Sequence, residues 1–203
     1  MTKHTSSIDS QLMQHIETQG QGWVFTPSDF ADLGSRTAVA SALMRYTAAG
    51  RIRQLSRGLY DMPRVHAALG TLWPDVSQVG NAFERKEGLR LQPSGAYAAN
   101  LLGLSEQVPA KVVYLTDGPS REVQVGPTHI TFKRTTLKNM ACAGRLSGLL
   151  IQAFRFLGAK HITATRIAHL RSALPAAERG AVVADLAYAP VWMRRWLQEV
   201  AQP

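Results

Sequence analysis

The chain has 203 residues, of which 45% are hydrophobic and 18% are charged, a composition typical of globular rather than disordered proteins. Its formal net charge of +9 favours an anionic partner, such as nucleic acid, a membrane surface or an acidic protein. The single cysteine, Cys142, excludes an internal disulfide and a cysteine zinc cluster, which fits a reducing compartment. No apolar run has the length of a membrane span, and the first residues show no signal peptide, so we expect a cytoplasmic protein.

Two helices and a short extended piece are predicted at the start of the chain. Apolar residues recur at helical spacing over residues 8–19, and Gly20 follows this segment. The sequence WVFTP then indicates an extended piece. Thr26 is predicted to cap a second helix that has Pro27 at its first position and Gly34 after its end.

A third helix and a β-hairpin complete the N-terminal pattern. Ser35 is predicted to cap a helix whose inward face carries Val39 and Leu43. The following sequence, RIRQLSRGLYDMP, alternates apolar and basic residues about a turn at Arg57, which predicts a hairpin. Three helices followed by a two-stranded wing is the order of a winged helix-turn-helix domain, and we assign it to residues 1–66.

The rest of the chain, residues 67–203, is predicted to form a second domain. The segment GNAFERKEGLRLQ indicates a helix followed by an extended connection, and PSGAYAANLLGL indicates another helix. A period of two over residues 110–135 predicts three strands, KVVYLTD, REVQVG and THITFKRT. Four helices are predicted after them, at about 143–157, 163–174, 176–188 and 190–200. The whole chain is therefore predicted to be an α+β protein whose second domain combines a small antiparallel sheet with several helices.

Positive charge is concentrated on the third helix and the hairpin, where five arginines and no acid lie between residues 35 and 58. A recognition helix contacts base edges with its N-terminal residues, while basic side chains of the wing lie along phosphates. The acids Asp9, Glu17, Asp29 and Asp32 are expected on the first two helices, away from this surface. The residues that we assign to double-stranded operator DNA are Thr26, Ser35, Arg36, Thr37, Ser41, Arg45, Arg51, Arg53 and Arg57.

Other interpretations of these residues remain open. The basic face could be a solvated surface of a protein-binding domain. Residues 140–203 carry a second basic excess, eight arginines and lysines against three acids, which could extend the DNA contact, meet an acidic protein or form a solvated exterior. The six histidines are scattered without an HExxH or HxH pattern, and no phosphate-loop motif is present. We therefore predict no enzyme activity, no metal and no cofactor.

Two blocks of sequence resemble one family, the AbiEi-type antitoxins of bacterial abortive-infection toxin–antitoxin pairs. The first block, GWVFTPSDFADLGSRTAVASALMRYTAAGRIRQLSRGLYDMPR, is similar to the N-terminal winged helix of that family. Its matching positions are Phe25, Thr26, Asp29, Phe30, Ser35, Leu43, Arg45, Gly50, Ile52, Arg57, Gly58, Tyr60 and Pro63. The second block, LQPSGAYAANLLGLSEQVPAKVVYLTDGPSREVQVGPTHITFKR, resembles the segment that follows in the same order.

The resemblance implies a DNA-binding antitoxin that represses its own operon and counters a nucleotidyltransferase-like toxin encoded next to it. The C-terminal part, to which the antitoxin action of the family is assigned, is shorter here than in the larger members. The alternative is a winged-helix transcriptional regulator that has no toxin partner. The resemblance does not define the oligomeric state or whether the toxin is contacted directly.

Overall fold

The computed structural model describes residues 7–107 and 109–202. Residues 1–6, on which the predicted lack of a signal peptide depends, lie outside this range, as do residues 108 and 203. The chain is an α+β protein, as predicted, and it divides into two compact units. The first unit runs to Gly88 and includes residues 124–126; the second contains residues 89–123 and those from 127 onward. The first unit thus extends beyond the boundary expected at residue 66.

The first unit begins with elements that the sequence predicted closely. Helix α1 (Ile8–Gln19) has the expected bounds, and strand β1 (Val24–Phe25) follows it. The predicted second helix is shorter than expected, a 3₁₀ helix (Pro27–Phe30). Helix α2 (Arg36–Ala48) begins after Ser35 as predicted, because the Ala38 N–H donates to Ser35 Oγ over 3.3 Å and so caps the helix.

The predicted hairpin consists of strands β2 (Arg53–Ser56) and β3 (Leu59–Asp61). Gly58 lies in its turn with φ at +72°, a conformation that residues other than glycine rarely adopt. With β1 these strands form an antiparallel sheet in the order β1-β3-β2.

A second hairpin, which the sequence did not predict, follows the first. It is made of β4 (Arg64–His66) and β5 (Gly70–Leu72), with Gly70 at positive φ. Helix α3 (Val76–Glu87) comes next and confirms the helix expected in this region. Because α3 packs against β1 and the 3₁₀ helix, the first unit needs residues beyond position 66.

The core of the first unit is built from the inward faces of α1 and α2 and from aromatic rings. Trp23 stacks on Phe25 with ring centroids 4.8 Å apart, and Phe30 meets Phe25 edge-on at 5.5 Å. Full burial of each large apolar side chain stabilises a fold by about 1.5–3 kcal/mol. The fully buried side chains here include Leu12, Ile16, Phe25, Phe30, Val39 and Leu43.

The sheet of the second unit has the order β6-β7-β9-β8. The three strands predicted for residues 110–135 are confirmed, but the prediction of an antiparallel sheet is wrong, because β7 pairs with β9 in parallel. After β7 the chain forms β8 at the edge of the sheet, and it then turns back as β9. Strand β9 lies between β7 and β8 and runs in the same direction as β7. The bounds are β6 (Leu91–Ser94), β7 (Lys111–Thr116), β8 (Arg121–Val125) and β9 (Thr128–Arg134).

Helices supply the rest of the second unit, and the four predicted near its end are confirmed. Helices α8 and α9 begin directly after Pro175 and Pro190, within one residue of the predicted starts. Cys142 is buried, and burial raises the pKa of its thiol.

In the part of the chain that the structure describes, no helix combines the length and apolar character that crossing a membrane requires. The α-helices are α4 (Gly95–Leu101), α5 (Leu137–Met140), α6 (Leu146–Leu157), α7 (Ala164–Ala173), α8 (Ala176–Ala184) and α9 (Val191–Ala201), with 3₁₀ helices at Ala159–His161 and Asp185–Tyr188.

Candidate nucleic-acid interface

Helix α2 has one buried face and one exposed face, as its sequence predicted. Val39, Ala42 and Leu43 are buried against α1 and the aromatic core. Ser35 stands at the exposed start of the helix, where its side chain serves as the cap. The exposed side chains on the opposite face and at the start of the helix are Ser35, Arg36, Thr37, Ser41, Met44 and Arg45.

Two of the arginines assigned to DNA are paired with acids of α1. Arg45 Nε lies 3.0 Å from Asp9 Oδ2, and its Nη2 lies 2.6 Å from Asp9 Oδ1. Arg51 Nη2 donates to Glu17 Oε1 over 2.7 Å. The expectation that these acids lie away from the basic surface is therefore wrong, because α1 packs beside α2 and brings both carboxylates to it. Arg45 and Arg51 remain about half exposed, but their charges are locally compensated.

Arg53 is occupied by structural contacts. Its Nε and Nη2 donate to Asp61 Oδ1 and Oδ2 over 3.0 and 2.6 Å, and Nη2 also donates to the Leu72 carbonyl over 2.9 Å. The guanidinium lies over the Trp73 ring, 4.5 Å from its centroid. Asp61 is fully buried, and this burial raises the pKa of its carboxyl although Arg53 opposes the rise.

Of the three hairpin arginines that we assigned to DNA, Arg51 and Arg57 are exposed, whereas Arg53 is only partly exposed. The register of β2 against β3 shifts between Gln54 and Ser56. An inserted residue reverses the faces on which later side chains lie. Arg53 lies before this shift and opposite Asp61 in the register, where it bonds to that carboxylate, whereas Arg57 lies after the shift and is exposed in the turn.

Thr26 is unavailable for a DNA contact. Its side chain is fully buried, and both its N–H and its hydroxyl donate to Asp29 Oδ2, over 2.7 and 3.1 Å. Asp29 Oδ1 accepts in turn from Arg85 Nε over 2.8 Å. Thr26 therefore fixes the start of the 3₁₀ helix, and its assignment to DNA is corrected on this ground.

Arg36 and Arg57 differ from the other three arginines. Both are exposed, and within residues 7–107 and 109–202 neither makes a hydrogen bond or an ion pair. Arg36 begins α2, where the free N–H groups of the first turn and the helix dipole favour an anion. Of the five arginines, Arg45, Arg51 and Arg53 are therefore paired with carboxylates. Arg36 and Arg57 have no such partner among the described residues.

A surface cleft of about 520 Å³ lies in the first unit beside Arg36 and Gly58 of the hairpin turn. It joins the start of α2, the 3₁₀ helix, the hairpin turn and the end of α3. Among the residues that the structure describes, its lining includes the cations Arg36 and Lys86 and no acid. The described residues that line it are Pro27, Ser28, Ala31, Gly34, Arg36, Val39, Gly58 and Lys86.

Residues 11–180 match a family of unknown function, DUF6088, and this match spans most of both units. The chain belongs to the DUF6088 family. No curated protein matches it. The family assignment therefore carries no activity with it, and the function of this DUF6088 member has to be argued from its own residues.

The second unit of this DUF6088 member has several arginines without an acidic partner among the described residues. Arg145 pairs with the buried Asp185 over 2.8 Å. Arg194 donates to the Ala189 carbonyl, and Arg195 lies 4.1 Å from the centroid of the Trp196 ring. In the described ranges no group of three or more histidine, cysteine, aspartate or glutamate side chains has the arrangement of a metal site.

Among the polar residues that line the cleft, sequence reasoning missed Ser28 and Lys86. Lys86 belongs to a helix that was expected but was assigned to the other domain. The signal that could have found it is the Arg85-Lys86 pair, a basic pair in the last turn of a helix. Only the packing of α3 on β1 and the 3₁₀ helix brings that turn to the cleft.

Proposed function

We propose that this protein is a DNA-binding transcriptional repressor whose first unit is a winged helix-turn-helix domain. The order α1, β1, 3₁₀ helix, α2, β2, β3 is compatible with such a domain, with α2 as the recognition helix and the β2–β3 hairpin as the wing. The observation that carries the proposal is the pair of exposed, unpaired arginines at the two positions that would meet DNA. These are Arg36 at the start of α2 and Arg57 in the hairpin turn.

In this proposal the side chains have separate roles. Arg36, Thr37 and Ser41 contact base edges in the major groove, and Met44, which is 67% exposed, offers an apolar contact to a thymine methyl. Ser35 and the first N–H groups of α2 hold a phosphate. Arg57 holds the backbone beside the groove. Arg45 and Arg51 keep the ion pairs with Asp9 and Glu17, which orient α2 and α1.

The assignment of Arg57 to a phosphate is tested by the salt dependence of binding. Arg57→Ala is expected to lower the slope of log K against log salt by about one unit and to weaken binding to all sequences alike. The assay is fluorescence anisotropy with a duplex from upstream of the gene, at several salt concentrations. Ser41→Ala is the control, because it removes a base contact without removing charge and should leave the slope unchanged. An unchanged slope in Arg57→Ala removes the hairpin from the interface.

We also propose that the protein acts as an antitoxin, as the resemblance to AbiEi-type antitoxins implies, and that it works in the cytoplasm. The observation that favours a protein partner is a set of four exposed apolar side chains within residues 183–192, where α8 connects to α9. Single scattered apolar side chains are ordinary, whereas a group of them points to an interaction site. The members of this α8–α9 surface are Val183, Tyr188, Val191 and Trp192, all at least 40% exposed.

The charge beside the α8–α9 surface indicates what kind of partner it accepts. Arg194 and Arg195 are exposed and, among the described residues, have no acidic partner. A second copy of this basic chain would bring like charges together, which is unfavourable. An acidic toxin with an apolar patch fits both features, so we assign the surface to the toxin.

Co-expression with the neighbouring gene tests this second role. If that gene encodes a toxin, the full chain should restore growth, and Val191→Glu should reduce the rescue because it places a negative charge on the apolar surface. Ser172→Glu, at an exposed position of α7, is the control for the added charge. Equal rescue by Val191→Glu and the parent contradicts the α8–α9 assignment. Operator binding with no rescue by the parent chain favours a regulator that has no toxin partner.

A further inference from the structure

The cleft beside Arg36 has the chemistry of a phosphate site. Two cationic side chains, Arg36 and Lys86, and the hydroxyl side chain of Ser28 line it, and no carboxylate of the described part of the chain does. A cleft lined by one sign of charge concentrates counter-ions of the other sign. Its volume of about 520 Å³ lies within the range of sites that hold molecules of nucleotide size.

Lys86 is held near the cleft by its neighbour in the chain. Arg85 Nε donates to Asp29 Oδ1 over 2.8 Å, and Arg85 Nη2 donates to the Val24 carbonyl over 2.7 Å. These bonds attach the last turn of α3 to β1 and to the 3₁₀ helix. Arg85 is thereby neutralised, whereas Lys86 is exposed and pairs with no acid among the described residues. Its ammonium group lies over the Phe83 ring, 5.9 Å from the ring centroid.

We propose that Lys86 binds a phosphate of the DNA backbone in this cleft, so that the DNA contact extends from α2 and the hairpin to α3. The inference rests on the proposed function, because the phosphate belongs to the duplex that α2 reads. Arg36 forms one wall of the cleft and starts the recognition helix, so a strand that passes Arg36 comes within reach of Lys86. The DNA-binding surface then needs residues up to Gly88 and not only the first 66.

The test removes the charge of Lys86 and keeps most of its length. Lys86→Gln is expected to lower the slope of log K against log salt by about one unit and to leave the preference between operator and scrambled duplex unchanged. Lys86→Arg should restore the parent slope, because it restores the charge. Lys138→Gln, an exposed lysine in the second unit, controls for net charge and should leave the slope as in the parent.

The outcomes separate this inference from the proposed function. If Lys86→Gln keeps the parent slope while Arg36→Ala weakens operator binding, the Lys86 site is wrong and the recognition helix stands. If neither variant changes DNA binding, the proposed function fails with it. Titration with inorganic phosphate, followed by NMR, tests whether the cleft binds a free anion instead of DNA. If phosphate shifts the NMR signals of the parent but not of Lys86→Gln, and DNA binding is the same in both, the assignment to DNA is wrong. Unchanged thermal unfolding of Lys86→Gln excludes a folding defect.

Discussion

Replacing Arg53 by alanine is expected to destabilise the first unit by about 3 kcal/mol, because it leaves the fully buried carboxylate of Asp61 without its ion partner. This value is the lower end of the range for breaking a buried pair, since the Arg53 side chain is itself 22% exposed. The variant also loses the bond to the Leu72 carbonyl and the contact with Trp73. Urea denaturation followed by tryptophan fluorescence and circular dichroism measures the loss.

The destabilisation of Arg53→Ala should depend on pH in a defined direction. Burial already raises the pKa of Asp61, and removal of Arg53 takes away the charge that opposes this rise. A carboxyl whose pKa is higher in the folded than in the unfolded state favours folding when it is protonated. The loss of folding stability in Arg53→Ala should therefore be largest at neutral pH. It should become smaller as the pH falls through the raised pKa of Asp61.

The double variant Arg53→Ala with Asp61→Asn is the control for this mechanism. It removes the buried charge together with its partner and should recover part of the stability at neutral pH. It should also lose the pH dependence that we expect of the single variant. If Arg53→Ala is as stable as the parent at neutral pH, Arg53 is not a structural residue. Its original assignment to a DNA phosphate would then be open again.

Arg36→Ala is expected to weaken operator binding by about 1–3 kcal/mol, roughly 5- to 150-fold, if Arg36 contacts a base. The fold should be unaffected, because Arg36 is exposed and has no partner among the described residues. Its effect should fall mainly on the operator, so that the ratio of affinities for operator and scrambled duplexes decreases. Anisotropy titrations with both duplexes at one fixed salt concentration measure this ratio.

Arg57→Ala is the matched control for Arg36, because it removes the same side chain and the same charge from the proposed phosphate contact. It should weaken binding to the operator and to the scrambled duplex by a similar factor, and so preserve the ratio of the two affinities. A preserved ratio in Arg36→Ala would assign Arg36 to the backbone and move the base contacts elsewhere on α2. Equal affinity of Arg36→Ala and the parent for both duplexes would contradict α2 as the recognition helix.

Local patterns in the sequence were sufficient for most elements of the fold. The bounds of α1, the cap at Ser35 and the turn at Gly58 depend on residues within one or two turns of chain, so periodicity and capping rules identify them. The same holds for the proline starts of α8 and α9. Arg36 and Arg57, two of the residues assigned to DNA, are exposed because one begins a helix and the other lies in a turn.

The sequence by itself determined the α+β class, the helix and strand segments and the concentration of positive charge. Only the tertiary structure decided which of those charges are free. Arg45, Arg51 and Arg53 stand in one basic run, yet each has a carboxylate partner, and the partners of Arg45 and Arg51 lie 36 and 34 residues away. The parallel pairing of β7 with β9 and the position of Lys86 were equally beyond the sequence. The physical reason is that ion pairs, strand order and clefts depend on distances between segments remote in the chain, whereas caps, turns and periodicity depend on neighbours.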